Sequence, residues 1–307
     1  MQFEGIHHIT AITGDARRNV DFYARVLGLR LVKKTVNQDD PTVYHLFYAD
    51  EDGSPGADMT FFEYPGAPQG RAGAGMIHRV AWRVADAAAL DFWAARLGDD
   101  GAATERAGDR LRFADPEGLA HELVVATVPD PPLIAHHPEV PPEVALRGFD
   151  GVRAYSDRPD DSAPLLTGVL PFAPHGDGFE ARGKRRGGTY AYDPAPERRG
   201  LQGAGTVHHV AWSAALEEIE PWQDLLRRTP GVRPTPVIDR FYFRSVYFRE
   251  PSGVLFEIAT RGPGFAVDED PAHLGETVAL PPFLEDRRAE IERTLTPLPS
   301  PRPLPAR

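Results

Sequence analysis

Two pairs of adjacent histidines stand at the same place in two similar segments of the chain. They are His7-His8 in the motif GIHHIT and His208-His209 in the motif TVHHVAW, and Glu257 follows in the apolar run LFEIAT. Two imidazoles and one carboxylate on one face form a site for Fe(II), Mn(II) or Zn(II) that leaves coordination positions open. Because side chains alternate along a strand, only one histidine of each pair can face such a metal. Its neighbour is expected to face the other way or to line the rim of the cavity.

The segment that carries the histidine pairs recurs four times. At the ligand position the four copies carry, in chain order, His8, Arg79, Asp150 and His209. The final strand of three copies carries an acid, which is Glu63, Glu122 or Glu257. Pairing the first copy with the fourth unites two imidazoles and Glu257, whereas the other pairings lose one imidazole. We therefore expect the first and fourth copies to surround one metal, and the second and third to form a metal-free companion in which Glu122 and Asp150 are structural.

Residues 239–251, with the sequence DRFYFRSVYFREP, are dense in aromatic and cationic side chains. Alternation back from Glu257 across a short hairpin predicts that Tyr247 and one arginine of this run enter the metal cavity. A tyrosine and a cation beside a metal suit the binding of an aromatic diol and proton transfer to it. This run is therefore the predicted substrate-facing part of the site.

The elements around these residues follow one plan, in which a strand leads into a helix and three further strands. This predicts an α+β chain made of four βαβββ modules. The predicted boundaries are 1–70 for module 1, 71–127 for module 2, 143–200 for module 3 and 201–262 for module 4, with a Pro-rich linker at 128–142 and a C-terminal tail at 263–307. Module 1 is expected to pair with module 4 as the catalytic half, and module 2 with module 3 as the metal-free half.

Composition narrows the function classes. The 307 residues carry 34 Lys and Arg against 45 Asp and Glu, and this net charge of −11 argues against nucleic acid or an anionic membrane as the partner. The absence of cysteine excludes disulfides, thiol nucleophiles, iron–sulfur clusters and cysteine-bound zinc. No apolar run is long enough to span a membrane and no secretory signal is visible, so a cytoplasmic location is expected. A homo-oligomeric assembly is also consistent with the sequence.

Several of these stretches resemble the vicinal oxygen chelate superfamily, and within it the branch of hydroquinone-type ring-cleaving dioxygenases. They are residues 5–10, 28–37, 205–211, 239–251, 255–260, 263–269 and 280–285, and the resemblance covers residues 3–295. It implies that the four modules form two open-barrel domains. It also implies that Fe(II), or Mn(II) in some members, is held by His8, His209 and Glu257. The neighbours that it implies in catalysis are His7, Thr10, His208, Arg240 and Tyr247.

The implied reaction is the opening of a small hydroquinone or catechol-like ring by O2 in the extradiol manner, as in aromatic compound catabolism. Either His208 or Tyr247 would move protons. The alternative within the superfamily is a glyoxalase-type isomerase or lyase, in which Glu63 supplies a fourth metal ligand. A third interpretation is a metal-free binding or antibiotic-sequestering module, which requires the paired histidines to be coincidental.

Overall fold

The computed structural model describes residues 1–298 and contains sixteen strands in this range. Residues 299–307, the end of the predicted tail, lie outside the described part. Strands β1 to β4 are Ile6–Thr13, Arg30–Asn37, Asp40–Ala49 and Asp58–Glu63, and β5 to β8 are Met76–Val84, Glu105–Ala107, Arg110–Ala114 and Ala120–Val125. Strands β9 to β12 are Phe149–Ser156, Phe172–His175, Gly178–Arg182 and Gly187–Pro194, and β13 to β16 are Thr206–Ala214, Ile238–Asp239, Arg244–Arg249 and Leu255–Thr260.

These strands form two eight-stranded sheets with the same internal plan. The first sheet has the order β14-β15-β16-β13-β1-β4-β3-β2, and the second has the order β10-β11-β12-β9-β5-β8-β7-β6. In each module the first strand runs parallel to the last one, and the first strands of two modules meet antiparallel at the centre of each sheet. The predicted α+β class, with a βαβββ module that recurs in two curled sheets, is confirmed.

A helix follows the first strand of every module. The helices are α1 (Ala16–Val20), which continues as a π-helical segment (Asp21–Val26), α2 (Ala87–Asp99), α3 (Ala163–Gly168), α4 (Ile219–Arg228) and, in the tail, α5 (Arg288–Glu292). Short 3-10 segments cover Pro159–Ser162, Leu216–Glu218, Phe265–Val267, Pro271–His273 and Pro282–Arg287. Aspartates cap α1 and α2, where Asp15 and Asp86 accept hydrogen bonds from backbone amides in the first turn. Within residues 1–298 no helix is both long and apolar enough to cross a membrane.

One hydrophobic core includes residues of all four modules and ties the two sheets together. All four tryptophans are buried in it. Polar contacts join the sheets as well, because the Tyr23 hydroxyl after α1 donates to Asp115, which precedes β8. On the other side, Glu250 between β15 and β16 accepts hydrogen bonds from Ser162 and Tyr192. The shared core and these hydrogen bonds therefore hold the first sheet, which carries the candidate ligands, against the second.

Candidate metal centre

The side chains of His8, His209 and Glu257 meet at the centre of the first sheet. Nε2 of His8 lies 3.1 Å from Oε2 of Glu257, and Nε2 of His209 lies 2.9 Å from the same oxygen. The two Nε2 atoms are 3.2 Å apart. All three side chains are buried. Strands β1, β13 and β16 lie next to one another in the sheet, so residues from both ends of the chain supply one compact donor set.

The hydrogen bonds of His7 fix which nitrogen of His8 is free. Nε2 of His7 lies 3.0 Å from the carbonyl oxygen of Thr260, which can only accept, so this nitrogen carries the proton. Burial, followed by the charge on His8, lowers the pKa of His7 to about 3, and its Nδ1 is therefore an acceptor at neutral pH. Nδ1 of His8 lies 3.0 Å from this atom and donates its proton to it. Nε2 of His8 is thus the ring nitrogen that faces Glu257.

His208 repeats this contact on the other side. Its Nδ1 lies 2.7 Å from Nδ1 of His209, and burial, followed by the charges on His209 and Arg249, lowers the pKa of His208 to about 4. His208 does not face the cavity next to the donor set, because it lines a separate cleft with Gln202 and Arg249. It contacts His209 through the two Nδ1 atoms.

The carboxylate of Glu257 has one satisfied oxygen and one orphaned oxygen. Oε1 accepts a hydrogen bond of 2.5 Å from the hydroxyl of Ser245, whereas the buried Oε2 has no hydrogen bond of ordinary geometry within residues 1–298. Burial alone would raise the pKa of Glu257, but the imidazoles of His8 and His209 outweigh it and hold the pKa well below its usual range. A buried carboxylate oxygen without a hydrogen-bond partner, 3.1 and 2.9 Å from the Nε2 atoms of His8 and His209, fits a divalent metal with N and O ligands.

A cavity opens next to these donors. It is lined by His8, His209, Tyr247, Arg240, Tyr242, Phe243, Phe47, Phe62, His45, Thr35, Val36, Asn37, Gln38 and Asp39. Tyr247 lies directly opposite Glu257 on β15, and its ring is 5.6 Å from that of His209. Burial, followed by the charge on Glu257, raises the pKa of Tyr247. The guanidinium of Arg240 lies 5.7 Å from the Tyr247 ring and pairs with Asp39 at 3.0 Å.

Thr10 belongs to a hydrogen-bond chain that the sequence did not reveal. Its hydroxyl lies 2.8 Å from that of Thr60, which in turn lies 3.0 Å from Nε2 of His45. Thr10 and Thr60 are buried, whereas His45 is half-buried and lines the cavity. His45 alternates with Val43 and Phe47 along β3, and this spacing was the available sign that it shares their face. No comparable sequence pattern indicated that Thr60 or Ser245 belongs to the site.

The structure does not place Glu63, the fourth ligand of the isomerase alternative, in the donor set. Glu63 pairs with Thr13 at the far end of β1, and its Oε1 accepts hydrogen bonds from the Ala16 amide and the Thr296 hydroxyl. Thr60 is the residue that pairs with Thr10, as Glu257 pairs with Ala211 on the matching strand. The counterpart of Glu257 in module 1 is therefore a threonine, and the donor set has three members.

The expected alternation along the first strands is wrong at the histidine pairs. The register between β1 and β13 shifts by one residue at His7 and again at His208, so both are bulged residues. In both pairs the bulged histidine touches its neighbour, with Nδ1–Nδ1 distances of 3.0 and 2.7 Å. In the second sheet Asp150 is bulged in the same way, which makes it the counterpart of His7 rather than of His8.

The second sheet lacks the donor set at the matching positions. Gly151 stands at the place of His8 and Arg79 at the place of His209, as their positions in the register between β5 and β9 show. Glu122 matches Glu257, but it pairs with Arg110 and with Arg112 at 2.8 Å. Burial alone would raise the pKa of Glu122, but these guanidinium groups lower it. Asp150 pairs with Arg83 at 3.2 Å.

A second group of donors, His7, His8 and Asp58, overlaps the first. Both carboxyl oxygens of Asp58 are buried without a hydrogen-bond partner within residues 1–298. Burial, reinforced by the charge on Asp50, raises the pKa of Asp58 well above its usual range and so disfavours the charged carboxylate that a metal ligand needs. Because the Nδ1 atoms of the two histidines already bond each other, this group is a poorer metal site than the first.

Known proteins of one superfamily are similar to this chain. The family model of the Glyoxalase/Bleomycin resistance protein/Dioxygenase superfamily matches residues 5–123. The "Putative ring-cleaving dioxygenase MhqA" of Bacillus subtilis is 40% identical over 97% of this chain and 100% of its own length. The chlorohydroquinone/hydroquinone 1,2-dioxygenase of Sphingobium indicum is 35% identical over 95% of this chain and 96% of its own.

Solved structures agree as well. The crystal structure of a "putative dioxygenase" from Bacillus subtilis shares 41% identity and a TM-score of 0.89, over 99% of both chains. Glyoxalase I from Zea mays, at 14% identity over 84% of this chain and 92% of its own, has the same fold with a TM-score of 0.57. The resemblance noted in the sequence is thus confirmed over the full length. The chain belongs to the glyoxalase/bleomycin resistance protein/dioxygenase superfamily.

Proposed function

We propose that this protein is a metal-dependent dioxygenase that opens the ring of a hydroquinone or catechol-like diol with O2. The observation that carries the proposal is a buried set of three donors that faces a cavity with aromatic walls. Three protein ligands leave room for both reactants, which is the arrangement of non-haem Fe(II) oxygenases with two histidines and one carboxylate. The names of the relatives, which match over nearly the whole chain, support the same reaction class.

His8, His209 and Glu257 would hold the metal, and we propose Fe(II), with Mn(II) as the second choice. When bound, such an ion supplies Lewis acidity and a common position at which a diol and O2 meet. His7 and His208 orient the two ligand imidazoles through their Nδ1 contacts. Partners of this kind fix the tautomer and the ring orientation of a metal ligand.

The substrate-facing groups are Tyr247 and Arg240. Tyr247 lies on the strand beside Glu257 and lines the cavity, so its hydroxyl is the best placed group to donate a hydrogen bond to a substrate oxygen. Arg240 adds a positive charge at 5.7 Å from the Tyr247 ring, which favours an anionic diolate in the cavity. The rings of Phe62 and Phe243 form an apolar wall that suits an aromatic ring. Thr10 does not line the cavity, so it would act indirectly, by orienting the hydroxyl of Thr60.

An anaerobic metal titration followed by O2-electrode assays tests this proposal. We expect one equivalent of Fe(II) to bind and O2 uptake to follow the addition of hydroquinone or catechol. Metal binding with turnover of an enediolate-forming substrate and without O2 uptake would favour an isomerase instead. A protein that binds no metal would leave only the binding-module interpretation.

A further inference from the structure

One polar side chain in the cavity has no part in the proposed chemistry. His45 lies on β3, where it pairs with Thr35 of β2 on one side and with Phe62 of β4 on the other. Its ring centroid is 4.0 Å from that of Phe47 and 4.4 Å from that of Phe62. The imidazole is thus held in place by two phenyl rings while part of it stays open to the cavity.

The hydrogen bonds of His45 leave one nitrogen unused. Nε2 lies 3.0 Å from the hydroxyl of Thr60, and that hydroxyl lies 2.8 Å from the hydroxyl of Thr10. No hydrogen bond joins Nδ1 of His45 to any other residue in the described range 1–298. An imidazole that is anchored through one nitrogen presents the other in a fixed direction, as donor or acceptor according to its tautomer.

Three other polar residues of the cavity wall form an ion pair or a hydrogen bond with one another. Arg240 pairs with Asp39 at 3.0 Å, and the side-chain amide of Gln38 donates to the Arg240 carbonyl at 2.8 Å. The remaining wall near His45 consists of Phe47, Phe62 and Thr35, whose buried hydroxyl also has no hydrogen-bond partner within residues 1–298. A polar atom without a partner in such surroundings is a strong point of recognition, because a ligand that leaves it unpaired loses affinity.

His45 also lies apart from the metal donors. The atoms of His8, His209 and Glu257 lie within 4.8 Å of one another, and His45 is not a member of this group. The two oxygens of a 1,4-diol lie on opposite sides of the ring, whereas those of a 1,2-diol are neighbours. A 1,4-diol with one oxygen at the donor set therefore extends its second oxygen away from it and across the cavity.

We propose that Nδ1 of His45 binds the second hydroxyl of the substrate, and that this contact selects a 1,4-diol over a 1,2-diol. The assignment rests on the proposed function, since it presumes that one hydroxyl binds at the three donors. It makes His45 a specificity-determining residue. A hydroxyl both donates and accepts, so it satisfies either tautomer of His45, whereas a ring hydrogen at the same position leaves Nδ1 unpaired.

The test compares three ligands and three variants. Dissociation constants of hydroquinone, catechol and phenol are measured on the Fe(II)-loaded protein without O2, so that binding is read apart from turnover. His45→Phe keeps the ring contacts and removes both nitrogens, and His45→Gln restores a polar end. Thr35→Val is the matched control, because Thr35 lines the same cavity beside His45 without a proposed role.

We expect the original protein to bind hydroquinone about tenfold more tightly than phenol, as one added hydrogen bond allows. In His45→Phe the affinity for hydroquinone should fall to that for phenol, while catechol and phenol keep theirs. His45→Gln should recover part of the preference, and Thr35→Val should retain all of it. An equal loss for all three ligands, or an unchanged preference in His45→Phe, would overturn the assignment.

O2 uptake by the original protein separates this assignment from the proposed function. If diols support O2 uptake and His45→Phe keeps the preference for hydroquinone over phenol, only the proposed role of His45 is contradicted. If no diol supports uptake, the proposed dioxygenase activity fails, and the binding constants still decide whether His45 contacts the second hydroxyl. A protein that binds none of the three ligands contradicts both proposals.

Discussion

Ser245 and Glu257 form a buried hydrogen bond in which the serine hydroxyl donates to Oε1 of the carboxylate at 2.5 Å. This bond leaves Oε2 of Glu257 as the oxygen that faces His8 and His209. The serine thus fixes the orientation of a candidate ligand without touching the other two. It comes from β15, the strand next to β16, and lies diagonally across from Glu257 in the register.

Ser245→Ala should therefore lower the affinity for Fe(II) by about 10-fold, because partners that orient a ligand contribute 10- to 100-fold. Metal affinity is measured by competition with a chelator of known affinity. Ser213→Ala is the matched control, since Ser213 is also fully buried but its hydroxyl has no partner within residues 1–298. Equal affinities in the two variants would contradict the role of Ser245.

The same substitution at two buried glutamates tests how many ligands the centre has. Glu257→Gln should weaken Fe(II) binding by more than about 100-fold, since a ligand should matter more than a partner that orients one. Glu63→Gln should retain the metal, because Glu63 bonds Ala16 and Thr296 instead. Metal content after gel filtration distinguishes them. Loss of metal in Glu63→Gln would restore the four-ligand centre and, with it, the isomerase interpretation.

Acid should destabilise the fold through His121, far from the candidate ligands. Its Nδ1 accepts from the indole of Trp82 and its Nε2 lies 2.9 Å from the Tyr23 hydroxyl. Burial lowers the pKa of His121 from 6.5 to about 3, so the unfolded chain binds a proton in this range that the folded protein does not. The free energy of unfolding should fall with decreasing pH between these values, by up to about 1.4 kcal/mol per pH unit from this residue.

His121→Gln can keep both hydrogen bonds and cannot take up the proton, so its stability should depend less steeply on pH. Urea unfolding of the metal-free proteins at several pH values measures the two slopes. Burial raises the pKa of the nearby Asp115 to about 6, which acts in the opposite direction but equally in both proteins. Identical slopes would show that His121 does not titrate as described.

Two adjacent lysines on β2 should differ in their effect on stability. Lys33 is fully buried, and its ammonium group bonds the carbonyl of Phe265 and the carboxylates of Asp268 and Glu269. Lys33→Met removes the cation from both acids, although Asp268 keeps its hydrogen bond from the Tyr242 hydroxyl, and should cost about 3 kcal/mol. Lys34 bonds one carbonyl, that of Glu276, so Lys34→Met should cost about 1.5 kcal/mol.

Urea unfolding measures both losses, and limited proteolysis after Arg261 reports whether the chain beyond it has come loose. Lys33→Met should be cut faster than Lys34→Met, because residues 265–269 lose their anchor on β2. Equal cleavage rates and equal stabilities would contradict a special role for the buried ammonium group.

The repeats in the sequence predicted which modules supply the three donors, but they did not give the strand register. The similarity of FFE around Glu63 to LFE around Glu257 suggested equivalent acids. In the sheet, however, Thr60 lies opposite Thr10, and Glu63 falls three residues later. Register depends on pairing between distant strands and on turn geometry, and a shared tripeptide contains neither.

The histidine pairs show a second limit of sequence patterns. Strict alternation assigned His7 and His208 to the opposite side or to the rim, whereas bulges keep each beside its neighbour. A bulge arises from the pairing of β1 with β13, so it is a property of two segments rather than of one. The same bulge explains why Asp150 was matched with His8 when its true counterpart is His7.

The seam between β1 and β13 has a consequence for how the chain holds together. His8 and His209 are 201 positions apart in sequence, yet their Nε2 atoms lie 3.2 Å from each other. A metal bound there would cross-link two segments that are distant in sequence, and its binding free energy would add to the free energy of unfolding. Amide exchange in β1 and β13 should then slow together when the metal is added, and any opening of that seam would release the ion.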